Sequence, residues 1–492
     1  MTETSFLAMS PDVLVRLVQC MASPADVTAL LRALPLHALP APLAALRELL
    51  ARQCEQHPLW PQPCLDDSMD AAMMDLVLAA MPSFTTIRVG NLVALQQHLA
   101  TRSGPTMNLL GFAAQWGHKV ASVTVLSEEL GGGTDVLGSV LELCTGLHHV
   151  EVQPRDKPER IIRAITTRAH HVRRLDLFAD DGDCFDVDDG VALLGPWLRT
   201  GYATHLSLWR FETEDNDMLA AALAATPTLQ SLEFVLADGV ISSLTSGPRL
   251  TRPLTRLRVR TSSIEGLRQL LHRLDLSVMT HLDLEVFAFG DSSFLAAVLP
   301  RLPRLEEISL VCTSLADTSA VKQAAGPSSL RVVTLNVFEA SSGTRLALLD
   351  WISTSRCLES VTWGFWSSFS GREMGRVGGA FRRWIEAGVH FVRFTQAEGN
   401  DLCMRELATA LTVATPRLPL RFELADQRLE DVAALDGLFK AVAMRPGVTV
   451  SMPFGGGQSP QVHGAVLHEL ASQHGLGLEL KDNTLVVSSR IA

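Results

Sequence analysis

The sequence predicts an α/β solenoid, a stack of short strand–helix units with the strands side by side in a parallel sheet. Three observations predict it. One six-residue pattern recurs in register, as Leu229-Gln-Ser-Leu232-Glu-Phe234, Leu254-Thr-Arg-Leu257-Arg-Val259 and Met279-Thr-His-Leu282-Asp-Leu284. The steps from Leu232 to Leu257 to Leu282 are 25 residues each. The apolar–polar–apolar alternation inside each copy is that of a short strand burying one face, and a helical stretch precedes each copy, as Ile264 to Leu274 does. A unit of this length cannot bury its own apolar face, so it must stack on its neighbours.

The same signature runs through most of the chain and defines the core. Its inward pairs are Val123/Val125, Val150/Val152, Leu175/Leu177, Leu206/Leu208, Leu232/Phe234, Leu257/Val259 and Leu282/Leu284. They continue as Ile308/Leu310, Val333/Leu335, Val361/Trp363 and Val392/Phe394, with weaker copies at Phe422/Leu424, Val450/Met452 and Leu478/Leu480. Steps of 25 to 31 residues leave room for a full helix in each unit. Asn216–Ala225, Ser293–Leu299, Thr344–Trp351, Leu429–Met444 and Val462–His474 supply helices, and Ser262 with Glu265 reads as a capping box. This is the pattern of a leucine-rich repeat. It departs from that family at one position, where the usual spine asparagine or cysteine is replaced by Asp180, Phe211, Ala237, Ser262 and Phe287. Doubly wound and barrel enzymes also alternate helix and strand. They need about six to eight units, and the nucleotide-binding ones a Gly-x-Gly-x-x-Gly turn, which more than a dozen units here lack.

Residues 1–56 are different. Ser10-Pro11-Asp12 starts one helix, carrying Val13, Leu14, Leu17, Val18 and Met21, and Ser23-Pro24-Ala25-Asp26 starts a second, carrying Val27, Leu30, Leu31 and Leu34. A third runs from Leu43 to Arg52. The stretch from Ser10 to Leu31 resembles an F-box: Pro11, Val13, Leu14, Leu17, Met21, Pro24, Asp26, Val27 and Leu30 stand where that pattern has its proline, its apolar helix, its Pro-x-Asp turn and its second helix. Ser10 stands where the family has leucine, and the third helix lacks the Cys-Arg-x-Trp signature, Trp60 lying too far on. The resemblance implies a surface for a Skp-type adaptor made of Pro11, Val13, Leu14, Leu17, Val18, Met21, Pro24, Val27 and Leu30. Residues 57–118 then read as a proline-dense linker, a helix from Met69 to Met81, a strand from Thr85 to Val89 and an irregular first repeat, with the regular array over 119–492.

Composition bounds the function. The chain has 492 residues, 47% apolar and 19% charged, which is ample for a core and unlike a disordered chain. A net charge of −11 argues against nucleic-acid binding, which needs a basic footprint. The eight cysteines form no CxxC pair, and Cys144 and Cys357 fall within expected helices or strands, so buried free thiols are expected. No signal-peptide layout and no run of about 18 uncharged apolar residues is seen, so the expectation is a soluble cytoplasmic or nuclear protein with no membrane partner.

No catalytic motif is found, and no cofactor is expected. Gly131-Gly-Gly133 and Gly455-Gly-Gly457 lack a P-loop ending, the acidic run Asp180–Asp189 lacks EF-hand spacing, and the pairs His148-His149 and His170-His171 do not converge on a metal. The face of the curved sheet expected to be concave, opposite the helices, is more informative, because like positions of adjacent repeats stand about 4.8 Å apart. One row reads Glu151, Asp176, Ser207, Glu233, Arg258, Asp283, Ser309, Thr334, and the next Gln153, Phe178, Trp209, Val235, Arg260, Glu285. Charge compensation within the sheet accounts for Arg258 between Glu233 and Asp283. Alternatively, Phe178, Trp209 and Val235 with Arg256, Arg258 and Arg260 make a target-binding surface of aromatics and arginines. With the F-box resemblance, the expected function is a substrate receptor of a cullin–RING ubiquitin ligase. The alternative is a non-catalytic repeat scaffold whose N-terminal helices cap the solenoid.

Overall fold

The computed structural model describes residues 10–52, 59–101, 107–126, 133–153, 158–166, 170–179, 184–250, 253–288, 290–315, 321–322, 326–365, 369–396, 400–425, 432–453, 460–481 and 484–489. The chain forms two compact units, Met1–Leu229 and Gln230–Ala492.

The first unit opens with helices α1 (Pro11–Gln19), α2 (Pro24–Ala33) and α3 (Ala41–Arg52). The first two begin where the sequence predicts, the third two residues earlier: the Ser10 and Ser23 hydroxyls accept the N–H of Val13 and Asp26, with a proline in each first turn. The elements that follow are β1 (Cys64–Leu65), α4 (Ala71–Ala80), β2 (Ile87–Val89), α5 (Leu92–Thr101), α6 (Leu109–Trp116), β3 (Val120–Leu126), α7 (Gly133–Leu143), β4 (His149–Gln153), α8 (Pro158–Ile165), β5 (Arg174–Phe178), β6 (Phe185–Val187), α9 (Gly190–Leu198), β7 (His205–Trp209), β8 (Phe211–Thr213) and α10 (Asn216–Ala225). Strands β1, β2, β3, β4, β5 and β7 pair in parallel in that order. Strand β1 lies in the stretch read as a linker. Strands β6 and β8 pair apart from the main sheet, an element the repeat pattern does not announce.

The N-terminal helices are fastened to the first repeats. Helix α3 packs along α4, and α1 lies against the 3-10 turn Met81–Ser83. Gln19 Nε2 donates to the Pro82 carbonyl at 3.0 Å, and Trp60 Nε1 to that of Met21 at 2.9 Å. Lys119 Nζ reaches the carbonyls of Met81, Pro82 and Phe84 at 2.9, 3.2 and 2.7 Å, satisfying a helix end that would otherwise keep bare acceptors. Two glycines permit a close approach nearby: a Cβ on Gly117 would stand 2.4 Å from the Leu143 carbonyl, and one on Gly146 2.4 Å from that of His118.

The second unit carries β9 (Ser231–Val235), α11 (Asp238–Ser246), β10 (Arg256–Thr261), α12 (Ile264–Arg273), β11 (His281–Val286), α13 (Phe294–Val298), β12 (Glu307–Leu315), β13 (Val332–Ala340), α14 (Ser342–Ile352), β14 (Ser360–Phe365), α15 (Gly371–Ala387), β15 (Phe391–Gln396), α16 (Asn400–Val413), β16 (Leu420–Ala425), α17 (Val432–Ala443), β17 (Val448–Pro453), α18 (Pro460–Gln473), β18 (Gly477–Lys481) and β19 (Thr484–Ser488). Strands β9 to β17 pair in parallel in sequence order, with Leu232, Leu257, Leu282, Ile308 and Val333 opposite one another. Every inward pair expected from Val123/Val125 to Val450/Met452 is buried. The last one is not. Strands β18 and β19 form an antiparallel hairpin, and β19 takes the place beside β17, so Leu485 and Val487 are buried while Leu480 is exposed. Gly475, at φ 68°, turns the chain out of α18 ahead of this reversal.

Two devices replace the missing spine asparagine. Threonines at the strand entrance donate to the carbonyl of the preceding repeat, Thr204 to Arg173, Thr255 to Gln230 and Thr280 to Thr255, at 3.0, 3.3 and 3.0 Å. Arginines bond the last carbonyls of the preceding helix: Arg273 those of Thr245 and Gly247, Arg301 those of Leu271 and Leu274, Arg445 those of Leu411 and Thr412. A cation at a helix C-terminus also complements its dipole. The expected cap at Ser262 moves one residue: Ser263 accepts the Gly266 N–H, and the Ser262 hydroxyl donates to Asp238 at 2.6 Å. A capping box does occur at Ser370 and Glu373. Of the other spine positions, Phe211 and Ala237 are buried and Phe287 is exposed, and Asp180 lies outside the described residues.

Candidate interaction surface

Alternation along each strand leaves one face of the sheet to solvent, and that face carries the candidate chemistry. In the first unit it holds a polar chain across three strands. Ser122 Oγ lies 3.0 Å from His149 Nδ1, His149 Nε2 lies 2.9 Å from Asp176 Oδ2, and Arg174 Nε donates to Asp176 at 2.8 Å. Serine, imidazole and carboxylate in line resemble a hydrolase triad. Ser122 is, however, buried on the sheet, and the backbone beside it is engaged in the parallel ladder with β4. Oxyanion stabilisation needs free donors at such a nucleophile. Phe178 and Trp209 stand in register and are half-buried, with Trp209 Nε1 bonded to Ser207 Oγ at 2.7 Å.

In the second unit Arg258 bridges Glu233 and Asp283, at 2.9 Å to each, which is the charge compensation the row predicts. Arg260 pairs with Glu285, which raises its guanidinium pKa, and lies 5.6 Å over the exposed ring of Phe287. Arg256 is exposed. Val235 is only 6% exposed and does not belong to an open apolar strip. The turn into α11 follows it directly, with Leu236 at φ 54°.

Beyond these pairs, the face changes character in a way the sequence rows did not bring out. Ser309, Thr334 and Thr362 stand side by side on β12, β13 and β14, and Val311, Asn336 and Gly364 form the next row. This band is uncharged and small. A Cβ on Gly364 would come within 2.2 Å of Asn336 Oδ1, so the amide occupies the space a side chain would fill. Phe338 lies at its end, 45% exposed. On the far side Arg393 and Arg421 share Glu423, each at 2.7 Å. The uncharged band is therefore bounded on both sides by ion pairs, with Asp283 and Glu285 next to it on β11 and Arg393 next to it on β15. Thr362 continues the row of Ser309 and Thr334 one repeat further along the sequence.

The N-terminal positions divide sharply. Leu14, Val18 and Val27 are 5, 0 and 0% exposed and belong to the interior, contrary to their expected place on an adaptor surface. Val13 and Leu17, one turn apart, are exposed at 47 and 38%; Pro11 and Pro24 are exposed, and Met21 and Leu30 half-buried. The thiols also divide. Cys144 and Cys312 are buried, which pushes both up to about 12, whereas Cys20, Cys184 and Cys357 are exposed; contrary to expectation, neither Cys144 nor Cys357 lies within a helix or strand. Of the acidic run, Asp180 to Asp183 lie outside the described residues, and Asp189 caps α9. Asp215 adds a second carboxylate to that helix start. Burial alone would raise its pKa, but bonds from the Thr213 hydroxyl and the Val191 and Gly190 N–H groups outweigh burial and hold it low.

Sequential parallel strands, one per repeat and each burying the same two apolar positions, define an α/β repeat protein of leucine-rich-repeat type. No protein-family model matches the chain, and no curated protein matches it. Among solved structures, it is similar to an internalin from Listeria monocytogenes str. 4b F2365, at 12% identity and a TM-score of 0.35, over 74% of this chain and 94% of that one. It is also similar to the TLR13–ssRNA13 complex, at 11% identity and a TM-score of 0.30, over 75% of this chain and 43% of that one. No helix among the described residues is long and apolar enough to cross a membrane.

Proposed function

We propose that this chain is a non-catalytic repeat scaffold that binds a protein partner on the solvent face of strands β10 to β16, with α1 to α3 acting as the cap of the first repeats. The carrying observation is the uncharged band of Ser309, Thr334, Thr362, Val311, Asn336 and Gly364 between two groups of paired charges. Protein interfaces have this anatomy, a centre depleted of charge with a polar rim, and exposed aromatics such as Phe287 and Phe338 are common anchors. The cap reading is supported by the burial of Leu14, Val18 and Val27 and by the bonds of Gln19 to Pro82 and of Trp60 to Met21.

A second reading keeps the F-box resemblance: Val13 and Leu17 would contact a Skp-type adaptor, and the chain would serve as a cullin–RING substrate receptor in the cytoplasm or nucleus. Its support is the exposure of those two residues on one helix face. Quantitative affinity purification separates the readings, using wild type, Thr334→Arg with Thr362→Arg, and Val13→Arg with Leu17→Arg. The scaffold reading expects a partner lost only with the threonine variant. Loss of an adaptor and cullin only with the Val13/Leu17 variant would favour the ubiquitin-ligase reading. A set of partners identical across all three would overturn both.

A further inference from the structure

Among the described residues, the sheet of the second unit ends on an open edge at β18. Strand β18 pairs with β19 on one side, and among the described residues no strand pairs with its other side. Its outer N–H and C=O groups therefore form a row able to accept another strand. Terminal strands of native sheets are usually short, charged or covered; β18 has one charge on each side of Leu480, as Glu479-Leu480-Lys481, and Leu480 is 56% exposed. Leu480 stands opposite Leu485 and thus on the face where Leu485 and Val487 are buried at 2 and 0%. That apolar face is left incomplete at its last strand.

The sequence of the edge identifies what completes it. Read against a second copy of itself in antiparallel register about Leu480, the segment is self-complementary. Leu480 falls opposite Leu480 of the other copy, Glu479 opposite Lys481, and Lys481 opposite Glu479. Residues directly opposite in an antiparallel pair share a face, with Cβ atoms about 4.5–5.5 Å apart, so the leucines meet on the apolar face and both Glu–Lys pairs on the other. A two-fold arrangement of this kind closes on itself and leaves no further edge to extend. We propose that this chain self-associates as a two-fold dimer through antiparallel pairing of β18, with its axis at Leu480.

The test is a charge exchange on the full chain, read by analytical ultracentrifugation over a concentration series. Wild type is expected to show a monomer–dimer equilibrium. Glu479→Lys turns both opposite pairs into Lys–Lys and is expected to weaken the dimer by about tenfold or more. Lys481→Glu should do the same through Glu–Glu pairs, and the double variant Glu479→Lys with Lys481→Glu should restore wild-type association. Circular dichroism on each variant confirms that the hairpin is retained. A monomeric wild type at every concentration overturns the proposal, as do single variants that dimerise like wild type. A double variant that stays as weak as the singles contradicts the register.

Discussion

Replacing Leu257 with alanine gives the sharpest test of the packing. The side chain is 2% exposed and stands in register between Leu232 and Leu282, so it contributes to two repeat junctions. Removing its three outer carbons forfeits about 2.4 kcal/mol at roughly 0.8 kcal/mol per buried carbon. The cavity left between packed strands brings the expected loss into the range of about 2–5 kcal/mol. The comparison is Thr255→Ala, at the half-buried position just ahead of the strand. It forfeits one hydroxyl bond, to the Gln230 carbonyl at 3.3 Å, worth about 0.5–1.5 kcal/mol. Hydrogen exchange by mass spectrometry resolves the opening of β9, β10 and β11 without assuming that the whole chain unfolds in one step. Leu257→Ala should accelerate exchange in all three strands, well beyond the effect of Thr255→Ala. Equal effects of the two substitutions would show that Leu257 is not the buried core position it is assigned to.

Three further outcomes are expected. Because the Asp215 carboxyl is held below its ordinary value in the folded chain, its contribution is fully present above about pH 4 and is lost as pH falls through the lowered value. Asp215→Ala should therefore lower the melting temperature at pH 7, and the gap to wild type should narrow in acid. His170 is 2% exposed, and burial lowers its pKa despite an opposing effect from Glu142. Its native state resists protonation, so stability present above about pH 6.5 is lost as pH falls toward the lowered value, by at most about 1.4 kcal/mol per pH unit. His170→Phe should flatten the melting-temperature profile between pH 5 and 7. Lys119→Met strips three carbonyls of a shared donor, and should cost about 1–3 kcal/mol while quickening exchange at the 3-10 turn Met81–Ser83 and in α1.

The repeat core was legible because strand alternation has a period of two residues, and a slip of one would turn every leucine outward. That constraint made the inward pairs readable as far as Met452. It weakened at the chain's last segment, where β-branched Val486 and Val487 joined Leu485 in the strand beside β17, and Leu478/Leu480 formed the outer arm of a hairpin. On the solvent face the Arg258 bridge followed from register alone, since both acids are direct neighbours. Val235 did not, because an outward position next to a tight turn can still be covered, and periodicity carries no record of that. The N-terminal helices show the same limit. Their spacing identified the apolar positions on α1 but could not say that Leu14 and Val18 turn inward while Val13 and Leu17 face solvent. The threonine and arginine bonds between repeats were hidden for another reason: each joins residues about one repeat apart through backbone carbonyls, which have no signature in sequence.

The central claim is that α1 to α3 are the cap of a repeat scaffold and not a detachable adaptor-binding module. The most direct measurement is hydrogen exchange on Leu14→Arg with Val27→Arg, which places two charges at positions 5 and 0% exposed. An unpaired buried charge is not tolerated in such a core. The cap account predicts that exchange rises in α1 to α3 and also in α4 and the turn Met81–Ser83, which those helices cover. A variant whose α4 and Met81–Ser83 remain as protected as in wild type would contradict it.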